Sequence, residues 1–211
     1  MESHIDLVKG YFPGLTDQQV EQFEKLTTCF KDWNTKINLV SRKDIDEFTT
    51  RHLLHSLAIA KAMKFANGSK ILDVGTGGGL PGLPLAILYP DVEFTLCDSI
   101  GKKIMVVNDL IKQVGIENAK GYHLRAQQIQ GKFDFIVSRA VTRMATFLPW
   151  VENKISNRSL NPWPNGILYL KGGDLQQELS EIHATTEVLA ISDWFKEDFF
   201  DTKSVVYVRL K

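Results

Sequence analysis

From Ser69 onward, short apolar runs interleave with longer amphipathic ones, and this predicts an α/β fold around a mostly parallel seven-stranded sheet. Two further observations complete the expectation. Amphipathic helical runs precede the first strand as an N-terminal helical extension, and the C-terminal end carries two strand-like runs separated by a polar turn, which read as an antiparallel hairpin closing the sheet edge. A chain of 211 residues, 44% hydrophobic and 24% charged, can bury one main core. The expected division is residues 1–66 as the extension packed on the core and residues 67–211 as the main domain.

Residues 17–34 place Val20, Phe23, Leu26, Thr27, Phe30 and Trp33 on one helical face, with Asp17 as the expected N-cap. Trp33 continues that stripe and so belongs to the core. A second helix, 49–64, points Leu53, Leu54, Leu57, Ala60 and Ala62 or Met63 inward and stops at Asn67-Gly68. Strands are expected near 70–74, 92–97, 119–123, 133–138 and 166–171, with helices near 82–89, 100–114 and 142–154. The hairpin strands are 188–194 and 204–210. The stretch 156–165, with Pro162, Trp163 and Pro164, reads as an exposed loop bordering a substrate entrance.

The formal net charge is zero, so global charge gives no argument for a nucleic-acid partner. Local charge offers one, since Arg42, Lys43, Arg51, Arg125, Arg139, Arg143 and Lys171 are candidates for a basic face. Cys29 and Cys97 stand apart without metal-ligand spacing, so packed thiols are expected rather than a disulfide or metal site. The N-terminus lacks a basic region followed by an apolar one, and no run approaches the ~20 apolar residues that span a bilayer. A soluble protein of the cytoplasm, without membrane or metal, is expected.

The strongest local signal is Asp73-Val74-Gly75-Thr76-Gly77-Gly78-Gly79-Leu80-Pro81-Gly82, between a strand and the next helix. Glycines let the backbone turn sharply and approach a ligand, and the helix presents free N–H groups to it. The spacing of Gly77, Gly79 and Gly82 also fits a Rossmann-like dinucleotide site. Asp73, at the strand's end, either meets a ligand amine, where a pyrophosphate would be repelled, or caps the loop's own amides. Asp98 ends the following strand, where an acid grips an adenosine ribose or serves as N-cap of the helix that follows. Ala126 and Gln127 follow the third strand and could contact an adenine edge. Arg139 emerges from an apolar strand, so its guanidinium needs an anionic or carbonyl partner or must face the cleft.

On these residues the chain closely resembles the bacterial small-subunit ribosomal RNA guanine-N7 methyltransferases, also called glucose-inhibited division protein B. The match runs from about residue 30 to residue 175. It comprises Trp33-Asn34, Ile37 to Val40, Arg51 to Leu54, the glycine loop, Leu96 to Ser99 with Gly101-Lys102-Lys103, Val137 to Ala140, and Leu170 to Gly173. The resemblance implies a Rossmann-like class I methyltransferase that moves the sulfonium methyl of S-adenosylmethionine to N7 of one guanine in the decoding region of 16S rRNA, in a monomer acting on the small ribosomal subunit or its RNA. It further implies cofactor contacts at Gly75, Leu80, Ala126, Gln127 and Arg139, to which the loop adds Asp73, Gly77 and Asp98. The chain departs from the family at His55, where an Asp is common, and at Gln127, where a Glu is common.

Guanine N7 carries a lone pair and no proton, so the chemistry asks for alignment rather than a general base. Arg139 is the candidate catalytic residue, and His52, His55 and His123 are expected to be structural or RNA-facing. Asn34, Asn38, Arg42, Lys43, Arg143 and Lys171 are candidates for RNA contact, the two asparagines either reading a base edge or holding a turn. Three other functions fit parts of the pattern. They are a nicotinamide-dependent oxidoreductase, a methyltransferase of a small molecule, and a non-catalytic ribosome-binding protein.

Overall fold

The structure, a computed structural model, describes residues 4–41 and 43–210. Five strands run parallel: β1 (Lys70–Val74), β2 (Glu93–Asp98), β3 (Ala119–His123), β4 (Phe135–Arg139) and β5 (Gly166–Gly172). β6 (Thr185–Ala190) and β7 (Lys203–Arg209) complete the sheet antiparallel, in the order β3-β2-β1-β4-β5-β7-β6. The central strands are largely apolar because both of their faces are buried. Ile71, Phe94, Val137 and Leu168 point to one core, and Leu72, Cys97, Ile136 and Ile167 point to the other.

The first face is covered by α1 (His4–Tyr11), α2 (Asp17–Lys36), a π-helical turn Thr49–Leu54 that runs into α3 (His55–Ala62), α4 (Gly82–Leu88) and α5 (Gly101–Val114). The second carries α6 (Met144–Val151) and α7 (Gln176–Ser180). The N-terminal helices share one continuous core with the sheet. Phe23, Leu26 and Phe30 are fully buried there, each stabilising the docking of α2 by about 1.5–3 kcal/mol. The indole Nε1 of Trp33 donates to Asp109 of α5 at 2.7 Å while its ring packs on the core.

Four local expectations are corrected. The N-cap of α2 is Thr16, not Asp17: Thr16 has extended backbone, its Oγ1 accepts from Gln19 N at 3.2 Å, and Gln19 Oε1 accepts from Thr16 N at 3.0 Å. Asp17 is the first helical residue. The sixth strand ends at Ala190 rather than Trp194, because Ile191 and Phe195 leave the ladder to fill the core beside Phe200. Helical turns therefore join β6 to β7 where a short polar turn was expected. The stretch 156–165 lies at the amino ends of the strands, where Arg158 pairs with Asp134 and Asn161 Oδ1 accepts from Ala66 N and Ser69 Oγ.

The Thr16 hydroxyl accepts from Gln19 N, a donor that Ala would leave to solvent, while Thr16 N would keep Gln19 Oε1. Thr16→Ala is expected to cost about 1 kcal/mol, read as a lower urea midpoint at unchanged slope, with Thr16→Ser close to wild type.

Candidate functional site

The carboxyl ends of β1 to β4 converge on one cavity of about 640 Å³. It opens beside the β1–β4 pair, where the strand order reverses and open α/β sheets receive ligands. β1 delivers the glycine loop, β2 delivers Asp98 to Ile100, β3 delivers Leu124 to Gln127, and β4 delivers Arg139 to Val141. Leu39 and Val40 form a further wall. They are held by Asn34, whose Oδ1 accepts from both of their N–H groups at 2.9 Å, so Asn34 holds a turn.

The glycine loop is stitched to β2 by Gly75 N and Thr76 N, which donate to Cys97 O at 2.9 and 3.1 Å. Gly75 and Gly77 are left-handed, at φ 67° and 59°. A Cβ on Gly75 would penetrate the Val141 side chain, and one on Gly78 would come within 2.7 Å of the Phe30 ring. Glycine thus lets both α2 and the β4 loop close on the ligand side.

Asp73 lies beneath this loop and is completely buried, outside the cavity lining. Its Oδ2 accepts from Thr76 Oγ1 at 2.6 Å and Gly82 N at 2.8 Å, while Oδ1 has no partner. Of its two expected roles, the hydrogen bonds present are those of the loop cap. Burial pushes the carboxyl up to about 7, against the two hydrogen bonds that favour the anion. Asp98 does line the cavity, 8% exposed. It accepts from Gly77 N at 3.0 Å and Ile100 N at 2.9 Å, joining the loop to the entry of α5, whose N-cap is Ile100. A carboxylate has about four lone-pair sites, so capacity is left for ligand hydroxyls.

Ala126 and Gln127 open a short 3₁₀ turn facing the cavity. The buried Lys154 supports it from behind, donating to Ile129 O at 2.6 Å and Gln127 O at 3.3 Å. On the other side Arg139 lines the cavity and donates from Nη1 to His52 Nδ1 at 3.0 Å. Among the described residues no carboxylate lies in ion-pair distance of Arg139. Burial lowers the guanidinium to about 10, opposed by Asp73 and Asp44, so it stays charged at neutral pH. The next residue, Ala140, is left-handed at φ 50°, a strained conformation for a residue with a Cβ. Tyr169 pins that turn: its hydroxyl accepts from Val141 N and Thr142 N and donates to Thr142 O.

The RNA candidates separate. Arg42 lies outside the described residues, and Asn38 and Lys43 are exposed. Arg143 is paired with Glu181 at 2.6 Å. Lys171, whose side chain is 11% exposed, is tied to Glu178 at 2.7 Å and to Thr142 O. Its ammonium is thus already engaged within the fold. His123 is exposed and shares a hydrogen bond with Ser99 O, whereas His52 and His55 are buried and held neutral, their pKa lowered to about 3 mainly by desolvation. Among the described residues no cluster of His, Cys, Asp or Glu suits a metal ion, and no helix is long and apolar enough to cross a membrane. Sequence reasoning missed Ile100, Leu124, Val141 and Trp150 of the lining, together with the supporting Lys154 and Tyr169. Their types carry no local signal of a site.

A family model described as rRNA small subunit methyltransferase G matches residues 19–204. The chain is 55% identical to the ribosomal RNA small subunit methyltransferase G of Christiangramia forsetii, over 98% of each chain. To the protein of that name from Bacteroides thetaiotaomicron it is 44% identical, over 98% of this chain and 100% of the other. Among solved structures it resembles a SAM dependent methyltransferase from Aquifex aeolicus, with TM-score 0.57 and 13% identity over 80% of this chain and 98% of that one. It also resembles a mutant of MtNAS in complex with S-adenosylmethionine, with TM-score 0.59 and 13% identity over 90% and 72%. These structural likenesses carry the fold, a class I methyltransferase sheet with a C-terminal antiparallel hairpin.

The buried Asp73 makes stability depend on pH. Its folded pKa, about 7, lies above the ordinary 3.8, so between those values the native chain binds more protons than the unfolded one. Its contribution is fully present below the lower value and lost as pH rises through the upper. Asp73→Asn is expected to make the slope of unfolding free energy against pH less negative over pH 4.5 to 7, by up to about 1.4 kcal/mol per unit. Parallel slopes for variant and wild type in urea titrations would refute this.

Proposed function

The chain belongs to the ribosomal RNA small subunit methyltransferase G family, and from that premise we propose that it transfers a methyl group from S-adenosylmethionine to N7 of one guanine in the decoding region of 16S rRNA. The observation that carries the proposal is the convergence of four strand ends on one cavity with an arginine on its wall that has no acidic partner in ion-pair distance among the described residues. The residues present fit the cofactor. Asp98 keeps acceptor capacity for ribose hydroxyls, and Ala126 and Gln127 open a turn whose first N–H groups have no partner within the turn. Gly75, Gly77 and Leu80 form the floor, and Asp73 holds that floor from below.

S-adenosylmethionine, when bound, supplies an electrophilic sulfonium methyl. The guanine brings its own nucleophile, an unprotonated lone pair, so no side chain has to remove a proton. The protein's work is to align the reactants and exclude water. Arg139 is assigned to the cofactor and the reacting guanine together, its guanidinium being suited to carboxylate or carbonyl oxygens. The buried His52 and His55, neutral across the physiological range, fit a reaction without proton relay. Exposed Asn38 and Lys43, with Arg42 beside them in sequence and Arg125 at the cavity, are the groups we assign to RNA. Arg143 joins them by exchanging a solvent-exposed pair of small worth. A small-subunit substrate supports a cytoplasmic location.

Labelled methyl from S-adenosylmethionine, supplied to small subunits lacking the modification, is expected at a single guanine revealed by cleavage at N7-methylguanine. Label on a small molecule but not on RNA, in keeping with the zero net charge, would favour the runner-up methyltransferase. In the same assay Arg139→Ala, folded as judged by circular dichroism, is expected to lower transfer on the order of 100-fold. Wild-type transfer by that variant would remove Arg139 from the mechanism.

A further inference from the structure

The helix that becomes α3 begins with the π-helical turn Thr49–Leu54, a rare geometry found mostly at functional sites. From this turn Arg51 reaches Asp44 at 3.1 Å and Glu47 at 2.9 Å, so two of the three acids of the preceding segment are engaged by Arg51. His52, one residue on, reaches Arg139 instead. The Phe48 ring lies 5.7 Å from the His52 ring and helps to fix its plane, and His52 Nε2 has no protein partner.

We propose that His52 is a positioning residue for methyl transfer: its Nδ1 accepts from Arg139 and aims the guanidinium into the cavity without cancelling its charge. The inference rests on the role given to Arg139 above. An imidazole nitrogen accepts only when it carries no proton, so the contact selects the Nε2–H tautomer. A carboxylate at this place would orient the guanidinium equally well, but its charge would offset the field that a ligand oxygen feels. The charged groups that act on His52 are Arg139 and Arg51, which oppose protonation, and Asp44, which favours it. Burial outweighs all three and keeps the ring neutral.

The test combines kinetics with a signature that a purely structural histidine would lack. In protein labelled with ¹⁵N-histidine, His52 is expected to show a bare Nδ1 and a protonated Nε2, unchanged from about pH 5.5 to 8.5, well above its lowered pKa. The Nδ1 resonance is expected to shift in Arg139→Ala. His52→Ala is expected to lower kcat at least about tenfold with KM for small subunits unchanged. His52→Asn, whose side-chain oxygen falls near the Nδ1 position, is expected to recover most of that loss. An Nδ1–H tautomer, titration within that range, a folded His52→Ala with wild-type kcat, or a His52→Asn no better than His52→Ala would each overturn the proposal. If His52→Ala does not fold, the tautomer and the Asn variant decide. Absence of RNA methylation by the wild-type chain would overturn the proposed function and this role together. Normal wild-type transfer with an insensitive His52→Ala would overturn this role alone.

Discussion

A single buried carboxylate oxygen, Asp73 Oδ2, takes hydrogen bonds from the Thr76 hydroxyl and the Gly82 amide, and so closes the glycine loop on itself across the mouth of β1. The rest of the site is arranged against that closure. Gly82 has to lack a side chain, because a Cβ there would stand 2.6 Å from the same oxygen and 2.8 Å from Leu96. With the loop closed, Gly77 N meets Asp98, and Asp98 in turn receives Ile100 N at the entry of α5. One acid fixes the floor and the second ties floor to wall. Burial is unfavourable for the ionised form, which is why the carboxyl's pKa rises despite two good donors.

Charge is arranged by a similar division of labour. The chain is neutral overall, and several cations that sequence alone makes candidates for RNA are already matched: Arg51 by Asp44 and Glu47, Arg143 by Glu181, Lys171 by Glu178. Arg139 differs in having an imidazole where the others have acids. The cavity wall thus carries a cation held by a neutral ring rather than by an acid. A neutral protein can hold an anionic polymer if its unmatched cations are few and well placed, since local potential decides contact more than net charge does.

Much of this was legible in sequence because the strongest signals are local. β1, β3 and β5 begin at the residues expected of them, and the glycine loop sits where strand, glycines and helix meet. The errors have identifiable causes. Val188 to Trp194 has strand composition, yet Ile191 and Phe195 serve a core that only the folded chain brings to them. The loop 156–165 looked like an entrance because proline and tryptophan mark exposed turns, but its Arg158 and Asn161 are partners of Asp134, Ala66 and Ser69 at the opposite end of the sheet. The pairing of Arg139 with His52, the support of the Ala126 turn by Lys154, and the pinning of the Ala140 turn by Tyr169 all join distant segments, so no periodicity or short motif encodes them.

The two departures from the family pattern acquire physical reasons. His55 is buried between Phe199 and Phe200, with ring centroids 5.6 and 6.1 Å away, and its Nε2 has no partner. A neutral imidazole packs there as a ring. Gln127 is exposed at the edge of the cavity, in a turn whose position is set by Lys154 beneath it and not by its own side chain. An amide serves there because the backbone of the turn faces the cavity whatever side chain stands at 127. The same substitution at Asp98 would be different in kind, since that carboxylate accepts from two backbone amides, one on each oxygen, and an amide side chain has a single acceptor oxygen.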